Sequence, residues 1–203
     1  MDGERFGILI VCHANLCRSP MAELLARATI AERLGAEASG FEVASAGTHA
    51  WSHQPMHPLA AEVLREQGIG DTAFRSRRLT EGLVRRAGLV LTATRRQRTE
   101  CVAMDTSAVH RTFTIPQFGR YAAALPPYGL IAVWPPKRRL QTLIEQVPIV
   151  RGTLPVGTAD DDDLPDPVGS PIEVFRRCAA EIQSVLDVTI DLIAPVRAAA
   201  RQS

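Results

Sequence analysis

The sequence is poor in cysteine, lysine and aromatic residues, and these shortages exclude several classes of protein. Four cysteines in 203 residues are too few to build a disulfide scaffold, so we expect a reduced protein of the cytoplasm. Lys137 is the only lysine, and the formal net charge is +1. Because nucleic-acid binding usually needs a strongly basic face, we expect no nucleic-acid partner.

Long apolar runs are also missing. No stretch approaches the roughly 20 apolar residues that a membrane helix needs, so we expect no membrane insertion. The first five residues carry both acidic and basic side chains and lead into a strand-like run, which is not the pattern of a signal peptide. Hydrophobic residues make up 46% of the chain and charged residues 22%, which is typical of a folded globular domain.

The sequence does contain an alternation of short apolar strands and amphipathic helices. Apolar, β-branched runs predict strands, and apolar residues at helical spacing predict helices. The predicted strands are residues 6–11, 41–45, 88–92 and 111–115, and the predicted helices are residues 21–34, 58–67, 77–86, 95–104 and 172–199. This order of elements favours a doubly wound α/β fold.

Residues 121–163 interrupt the alternation. They contain two proline pairs, a predicted helix over residues 137–146 and a run of four aspartates at 160–163. We interpret the aspartate run as solvated surface charge. The sequence therefore predicts one domain over residues 1–203, with an insertion at about 121–163.

The first strand leads into a candidate catalytic loop. Cys12 follows it at the end where open α/β sheets bind ligands, and Arg18 comes six positions later at the start of a helix. The backbone N–H groups of such a loop and a helix N-terminus can together hold an anion. A thiol in that position ionises readily, and Arg18 can bind two phosphate oxygens at once. The pattern predicts a cysteine nucleophile directed at a bound phosphoryl group.

Three further residues fit this chemistry. Asn15 tolerates the left-handed backbone that a tight loop needs, and Ser19 can donate a hydrogen bond to the thiolate. Asp166 lies between two prolines that stiffen its loop, which makes it the candidate proton donor for the leaving group. An ordinary Asp-Pro turn is the alternative interpretation of this position.

The segment ILIVCHANLCRSP, residues 8–20, closely resembles the active-site loop of low-molecular-weight protein tyrosine phosphatases of the bacterial type. Further matches follow in order at Ser45-Ala46-Gly47-Thr48 with Trp51, Gln54-Pro55-Met56, Glu62-Val63-Leu64, Arg77-Arg78-Leu79-Thr80, Leu89-Val90-Leu91 and Asp166-Pro167. The resemblance covers about residues 6–115 and 164–195. It implies a flavodoxin-like three-layer α/β/α sandwich with a central four-stranded parallel sheet, and metal-free phosphomonoester hydrolysis that needs no cofactor.

The same resemblance implies catalytic roles for three residues. Cys12 would be the nucleophile that becomes a phosphocysteine, and Arg18 would bind phosphate and stabilise the transition state. Asp166 would be the general acid and then the base that activates water. The substrate would be a phosphorylated protein, such as a tyrosine kinase, and the enzyme a monomer or weak dimer.

The resemblance also assigns the residues around this centre. Cys17 would be able to form a reversible disulfide with Cys12, and Asn15 and Ser45 would hold the shape of the loop. Ser19 would assist the thiolate. Other matching positions would form the phosphate-binding loop or contact the substrate: His13, Ala14, Asn15, Leu16 and Cys17 in the loop, and Trp51 at the substrate.

The sequence departs from the family pattern at several positions. The family usually has glycine where Ala14 stands, and a histidine that supports the loop asparagine is replaced by Phe74. Aromatic residues that normally follow the Asp-Pro pair are replaced by Val168 and Gly169, which leaves Trp51 as the stacking wall for a phosphotyrosine ring. A small phosphate ester therefore stays open as an alternative substrate.

Two other functions stay open. The first is a thiol-dependent arsenate reductase on the same fold, which needs cysteines placed to relay a disulfide. After Cys17 only Cys101 and Cys178 remain, and we expect both to be buried packing residues. The second is a non-enzymatic module that binds phosphate or a phosphopeptide.

Three histidines could suggest a metal site. His49, His53 and His57 recur every four residues, which on a helix would place them on one face. Pro55 and Pro58 exclude a helix there, so we predict a loop at the rim of the active site instead.

Overall fold

Four parallel strands form one sheet, in which the first strand of the chain lies between the second and the third, and the fourth lies at the edge beyond the third. The computed structural model describes residues 5–70, 73–126, 130 and 133–194. The strands are β1 (Phe6–Cys12), β2 (Phe41–Gly47), β3 (Leu89–Thr92) and β4 (Thr112–Thr114). Their apolar, β-branched composition suits strands that are covered on both faces.

The central position of β1 determines where a ligand can bind. Ile10 of β1 pairs with Ser45 of β2 on one side and with Leu91 of β3 on the other. The chain therefore leaves β1 first toward one edge of the sheet and later toward the other. Ligands bind at the carboxyl ends of the strands where the order reverses in this way, and β1 ends there at Cys12.

Helices connect the strands and cover the sheet. Threonine side chains cap the first turns of four of them, and prolines occupy first turns that need no N–H donor. The helices are α1 (Arg18–Leu34), α2 (Pro58–Glu66), α3 (Glu81–Arg86), α4 (Arg95–Met104), α5 (Ile115–Ala124), α6 (Pro136–Arg151), α7 (Ala159–Asp162) and α8 (Ile172–Ile193). None of the helices in the described part of the chain has the length and apolar character to span a bilayer.

The two faces of β1 point into separate hydrophobic clusters. Ile8 and Ile10 join the larger cluster with side chains of α1, α2, α5 and α8. Leu9 and Val11 join a smaller cluster with side chains of α3 and α4. Helices thus cover both sides of the sheet, which confirms the flavodoxin-like three-layer α/β/α sandwich with a central four-stranded parallel sheet.

Several predicted boundaries differ from those in the structure. The predicted helix over 77–86 begins only at Glu81, because Arg77 and Leu79 bond as extended chain to Gly47 at the end of β2. The predicted strand over 111–115 ends at Thr114, because Ile115 opens α5, a helix that the sequence analysis did not predict. The closing helix ends at Ile193, and the predicted continuation through residues 195–199 lies outside the described residues.

The proline-rich segment contributes to the main core. The helix predicted over 137–146 is present and is longer than predicted, since α6 runs from Pro136 to Arg151. Its Leu140, Leu143 and Val147 are buried in the larger cluster, where α6 packs against α5 and α8. Tyr121, where the predicted insertion starts, lies inside α5 and is also buried. Burial of these apolar side chains ties the segment to the sheet domain.

The interpretation of residues 160–163 as solvated charge is wrong for Asp162. Its side chain is 5% exposed and accepts a hydrogen bond from Arg120 at 2.6 Å. Thr158 caps the short α7, and this single helical turn directs one of four successive aspartates inward. Asp163 is also engaged, because its carboxylate accepts a hydrogen bond at 2.7 Å from the backbone N–H of Arg95 at the start of α4.

We predict that Asp162→Ala destabilises the protein by about 1–3 kcal/mol, because it removes one partner of a buried ion pair whose other partner is partly exposed. Urea unfolding followed by circular dichroism measures the free energy of unfolding. Asp160→Ala is the matched control, since Asp160 is exposed on the same turn, and we expect a change within about 0.5 kcal/mol. Equal stability of the two variants would contradict a stabilising role for the pair.

Candidate active site

The loop between β1 and α1 curls around the thiol of Cys12. The Oγ of Ser19 lies 3.0 Å from the Cys12 Sγ, and the backbone N–H of Asn15 donates to the same sulfur at 3.3 Å. Asn15 adopts a left-handed backbone with φ 57°, which turns its N–H toward the thiol. The thiol is buried, so these donors are its means of carrying a negative charge.

The buried side chain of Asn15 holds the loop in this shape. Its Nδ2 donates to the Oγ of Ser19 at 2.9 Å and to the Oγ of Ser45 at 2.8 Å, and its Oδ1 accepts from the backbone N–H of Arg77 at 2.9 Å. Phe74 packs against the larger hydrophobic cluster. Two hydroxyls and one backbone group, rather than a ring at position 74, therefore support the asparagine.

Glu23 is a site residue that the sequence analysis missed. It lies on α1 one turn after Ser19, and only 5% of it is exposed. Its carboxylate accepts a hydrogen bond from the Oγ of Ser45 at 2.5 Å and forms an ion pair with Arg27 at 2.6 Å. The available sequence signal was a carboxylate four residues after Ser19, on the helix face that packs on the sheet.

Gly47 allows β2 to approach the catalytic loop. A Cβ at this position would lie 2.6 Å from the carbonyl oxygen of His13 and 2.8 Å from the backbone nitrogen of Asn15. Both contacts are too short for any other residue. The next residues of the chain bond to the same loop, since the N–H of Thr48 donates to the oxygen of Cys12 at 3.0 Å and that of His49 to the oxygen of His13 at 2.9 Å.

Arg18 and Asp166 face each other across the site. Arg18, the first residue of α1, places its Nη2 against the Asp166 carboxylate and donates from its Nη1 to the oxygen of Leu164 at 3.1 Å. The Asp166 side chain is 47% exposed, whereas that of Arg18 is 6% exposed. The N–H of Leu164 donates to the oxygen of Ala93 at 2.8 Å, which fixes the aspartate loop to the end of β3.

Cys17 differs from Cys12 in its surroundings, although both belong to the loop. Burial raises the pKa of the Cys17 thiol to about 12, and the negative charge of Asp166 adds to the effect. Cys17 therefore stays a neutral thiol at physiological pH. The loop contains one sulfur placed among hydrogen-bond donors and one that remains protonated.

Exposed apolar side chains lie on the two segments that contact the loop between β1 and α1. Trp51 is 83% exposed and Val168 is 59% exposed. The rings of His13 and His49 stack with their centroids 4.6 Å apart, which joins the catalytic loop to the loop that carries Trp51. Leu16 connects to the same loop, because its carbonyl oxygen accepts from the N–H of His57 at 2.9 Å.

The three regularly spaced histidines lie in non-helical chain, as predicted. His57 precedes α2, accepts a hydrogen bond from the N–H of Leu59 at 3.2 Å and stacks on Phe175. His53 has a left-handed backbone with φ 67°. Within the described ranges, no three histidine, cysteine or acidic side chains converge on a point where they could hold a metal ion.

Known proteins share both the sequence and the fold. A model of the family described as low molecular weight phosphotyrosine protein phosphatase matches residues 7–125. The chain is 36% identical over 114 residues to a probable low molecular weight protein-tyrosine-phosphatase of Ralstonia solanacearum, covering 56% of this chain and 73% of the relative. It is 30% identical over 182 residues to a protein-arginine-phosphatase of Geobacillus stearothermophilus, covering 90% of this chain and 92% of the relative.

A solved structure of a known phosphatase shares the fold. The low molecular weight protein tyrosine phosphatase of T. tengcongensis superposes with a TM-score of 0.65 at 26% identity, over 92% of this chain and 98% of that one. The family model covers more than half of the sequence, and the aligned part includes the cysteine loop. The chain therefore belongs to the low molecular weight phosphotyrosine protein phosphatase family, whose members are cysteine-dependent enzymes.

Proposed function

We propose that the chain is a protein tyrosine phosphatase in which Cys12 is the nucleophile, Arg18 binds phosphate and Asp166 transfers protons. The observation that carries this proposal is the contact between Arg18 and Asp166 beside the loop that surrounds the Cys12 thiol. A phosphate bound by the guanidinium and the loop N–H groups would lie between the nucleophile and the acid. Retention of all three residues argues against a module that only binds phosphate.

In the first step the Cys12 thiolate attacks phosphorus. A sulfur–phosphorus bond forms while the ester oxygen–phosphorus bond breaks, and Asp166 gives its proton to the leaving oxygen. Arg18 balances the charge on the equatorial oxygens. When phosphate takes the donors of Arg18, the Asp166 carboxyl is released toward the half-open mouth of the site, where the leaving group departs.

In the second step water cleaves the phosphocysteine. Asp166, now a carboxylate, takes a proton from the water that attacks phosphorus, and the sulfur–phosphorus bond breaks to return the thiolate. The donors from Ser19 and Asn15 stabilise the departing sulfur. The loop residues His13, Ala14, Leu16 and Cys17 supply the surrounding backbone, and neither step requires a metal or cofactor.

The rim supports phosphotyrosine as the substrate. Trp51 presents an exposed ring beside the loop, and an aromatic leaving group can stack on it. A phosphorylated protein, such as a tyrosine kinase, therefore remains the proposed partner. We also propose that the enzyme works in the cytoplasm as a monomer or weak dimer, and that residues 121–163 are an insertion in a single domain over residues 1–203.

Phosphoarginine is a second candidate substrate. The chain covers 92% and 91% of two relatives named protein-arginine-phosphatase, from Geobacillus stearothermophilus and Bacillus subtilis, at 30% and 31% identity. It also lacks the second aromatic wall, because Val168 follows Asp166-Pro167. The same nucleophile and acid are able to cleave a phosphorus–nitrogen bond. A preference for phosphotyrosine or phosphoarginine must therefore come from the residues at the rim of the site.

The raised pKa values of three of the four cysteine thiols argue against an arsenate reductase. Burial raises the pKa values of Cys101 and Cys178 to about 12, even though the positive charge of Arg18 partly opposes the shift at Cys178. A resolving cysteine must become a thiolate to attack a disulfide or a thiol–arsenic adduct. Cys17 is held in the same neutral form, so the chain offers one reactive thiol, which is what a phosphatase uses.

We predict that the wild-type chain hydrolyses para-nitrophenyl phosphate, that Cys12→Ser abolishes turnover and that Asp166→Asn lowers kcat by about 100-fold. Steady-state assays across pH measure this, and Asp160→Asn, an exposed control on the same stretch of chain, should stay within about twofold of wild type. A fully reduced wild-type chain that binds vanadate without turnover would overturn the hydrolase assignment.

We predict that phosphotyrosine peptides exceed matched phosphoarginine peptides in kcat/KM by at least about tenfold. Trp51→Ala should lower kcat/KM for the phosphotyrosine peptide by about three- to tenfold, because a stacking contact contributes about 0.5–1.5 kcal/mol. Trp134→Ala replaces the other tryptophan and should have no effect. The reverse order of substrates would make the chain an arginine phosphatase, and preference for a small phosphate ester would exclude both.

We predict that iodoacetamide at pH 7 modifies Cys12 alone, because the other three thiols have pKa values near 12. Peptide mass spectrometry locates the adducts. Inorganic phosphate should protect Cys12 by occupying the loop. Modification of Cys17, Cys101 or Cys178 at a comparable rate would show that these thiols are accessible as thiolates and would reopen the reductase interpretation.

A further inference from the structure

A chain of buried hydrogen bonds connects Glu23 to the catalytic sulfur. The Glu23 carboxylate accepts from Ser45 at 2.5 Å, and Ser45 accepts from the Asn15 amide at 2.8 Å. The same amide nitrogen donates to Ser19 at 2.9 Å, and Ser19 lies 3.0 Å from the sulfur of Cys12. Glu23, Ser45, Asn15 and Ser19 are each no more than 5% exposed, so solvent does not compete for these bonds.

The donor and the acceptor of each hydrogen bond between Glu23 and Cys12 follow from the groups whose roles are fixed, the Glu23 carboxylate and the backbone N–H of Arg77. A carboxylate only accepts, so the single hydroxyl hydrogen of Ser45 points at Glu23 and its lone pairs face Asn15. The N–H of Arg77 donates to the Asn15 Oδ1, which leaves the Nδ2 group to donate toward both serines. Ser19 therefore accepts from Asn15. Its single hydrogen has two acceptors within reach, the sulfur of Cys12 at 3.0 Å and the backbone oxygen of Ala46 at 3.4 Å, and a thiolate at the nearer position attracts it more strongly.

We propose that Glu23 is a positioning residue for the Cys12 nucleophile. Its buried charge orients Ser45, Ser45 orients the Asn15 amide, and the amide leaves Ser19 as a donor to sulfur. Arg27 contacts the same carboxylate at 2.6 Å from the other side. In the described residues the Ser45 hydroxyl bonds to the Asn15 amide, which donates to it, and to Glu23, which accepts from it, so the direction of its hydrogen depends on Glu23. The inference rests on the proposed role of Cys12.

Replacing the Glu23 carboxylate by an amide changes which groups donate and which accept in these hydrogen bonds. In Glu23→Gln the side-chain oxygen faces Arg27, and the NH₂ group then faces Ser45 as a second donor. The Ser45 oxygen then faces two N–H donors, and its own hydrogen loses the acceptor that fixed its direction, so Ser45 no longer holds the Asn15 amide in one orientation. The amide shifts, and Ser19 no longer donates to the sulfur in a fixed geometry.

The loss of the Ser19 donor and the loss of the Glu23 charge would move the pH of thiolate formation at Cys12 in opposite directions. Removal of a negative charge near a thiol favours the thiolate, so a long-range effect of Glu23 would shift thiolate formation in Glu23→Gln to lower pH. Loss of the donor from Ser19 disfavours the thiolate and shifts its formation to higher pH. The direction of the change therefore distinguishes the two explanations.

The test is the pH dependence of iodoacetamide inactivation of Cys12 in the full chain. In Glu23→Gln and Ser45→Ala we expect the midpoint of the profile to move up by about one pH unit, a tenfold change in the ionisation equilibrium. Glu32→Gln is the matched control, because it removes the same charge from an exposed position on α1, and we expect no shift. Thermal unfolding monitored by circular dichroism establishes that each variant is folded.

A midpoint that is unchanged or lower in Glu23→Gln would overturn the inference. If that variant fails to fold, Ser45→Ala decides alone, and an unshifted midpoint there overturns the inference equally. The readout does not require turnover, so it is independent of the substrate. A wild-type chain without phosphatase activity would refute the proposed function while leaving the positioning of the thiolate measurable.

Discussion

The burial of the Cys12 sulfur, the proposed nucleophile, is the constraint on which the rest of the site depends. Cys12 is 3% exposed at the end of a central strand, and a negative charge in that position is costly unless donors surround it. Ser19 and the backbone of Asn15 provide those donors. They can do so because Asn15 takes a left-handed conformation and because Gly47 lets the neighbouring strand come close.

Asp166, the proposed acid, comes from a distant part of the chain. Arg18 and Asp166 are separated by 148 positions, and their contact depends on how the intervening chain returns to the sheet. Leu164 bonds to the residue that follows β3, Asp163 bonds to the start of α4, and the buried Asp162 pairs with α5. The acidic run just before the Asp-Pro pair thus anchors the loop that carries Asp166.

Local pattern was sufficient for much of the fold. Apolar β-branched runs predict all four strands, and the Cys-to-Arg spacing after the first of them predicts a phosphate-binding loop. Two of the failed predictions were overturned by contacts remote in sequence. Residues 77–79 look helical but bond to the end of β2, and the aspartate run looks solvated but contains the buried partner of Arg120. The helix α5 was not predicted because it begins directly after a three-residue strand.

The sequence by itself determined the fold class, the candidate nucleophile and the phosphate-binding arginine, because these depend on periodicity and on residues a few positions apart. Only the tertiary structure decided how the thiolate is supported. Glu23 and Ser45 lie on different elements, 22 positions apart, and nothing in their local sequence marks them as partners. Hydrogen-bond direction depends on which groups meet in a buried space, and that is settled when the elements pack together.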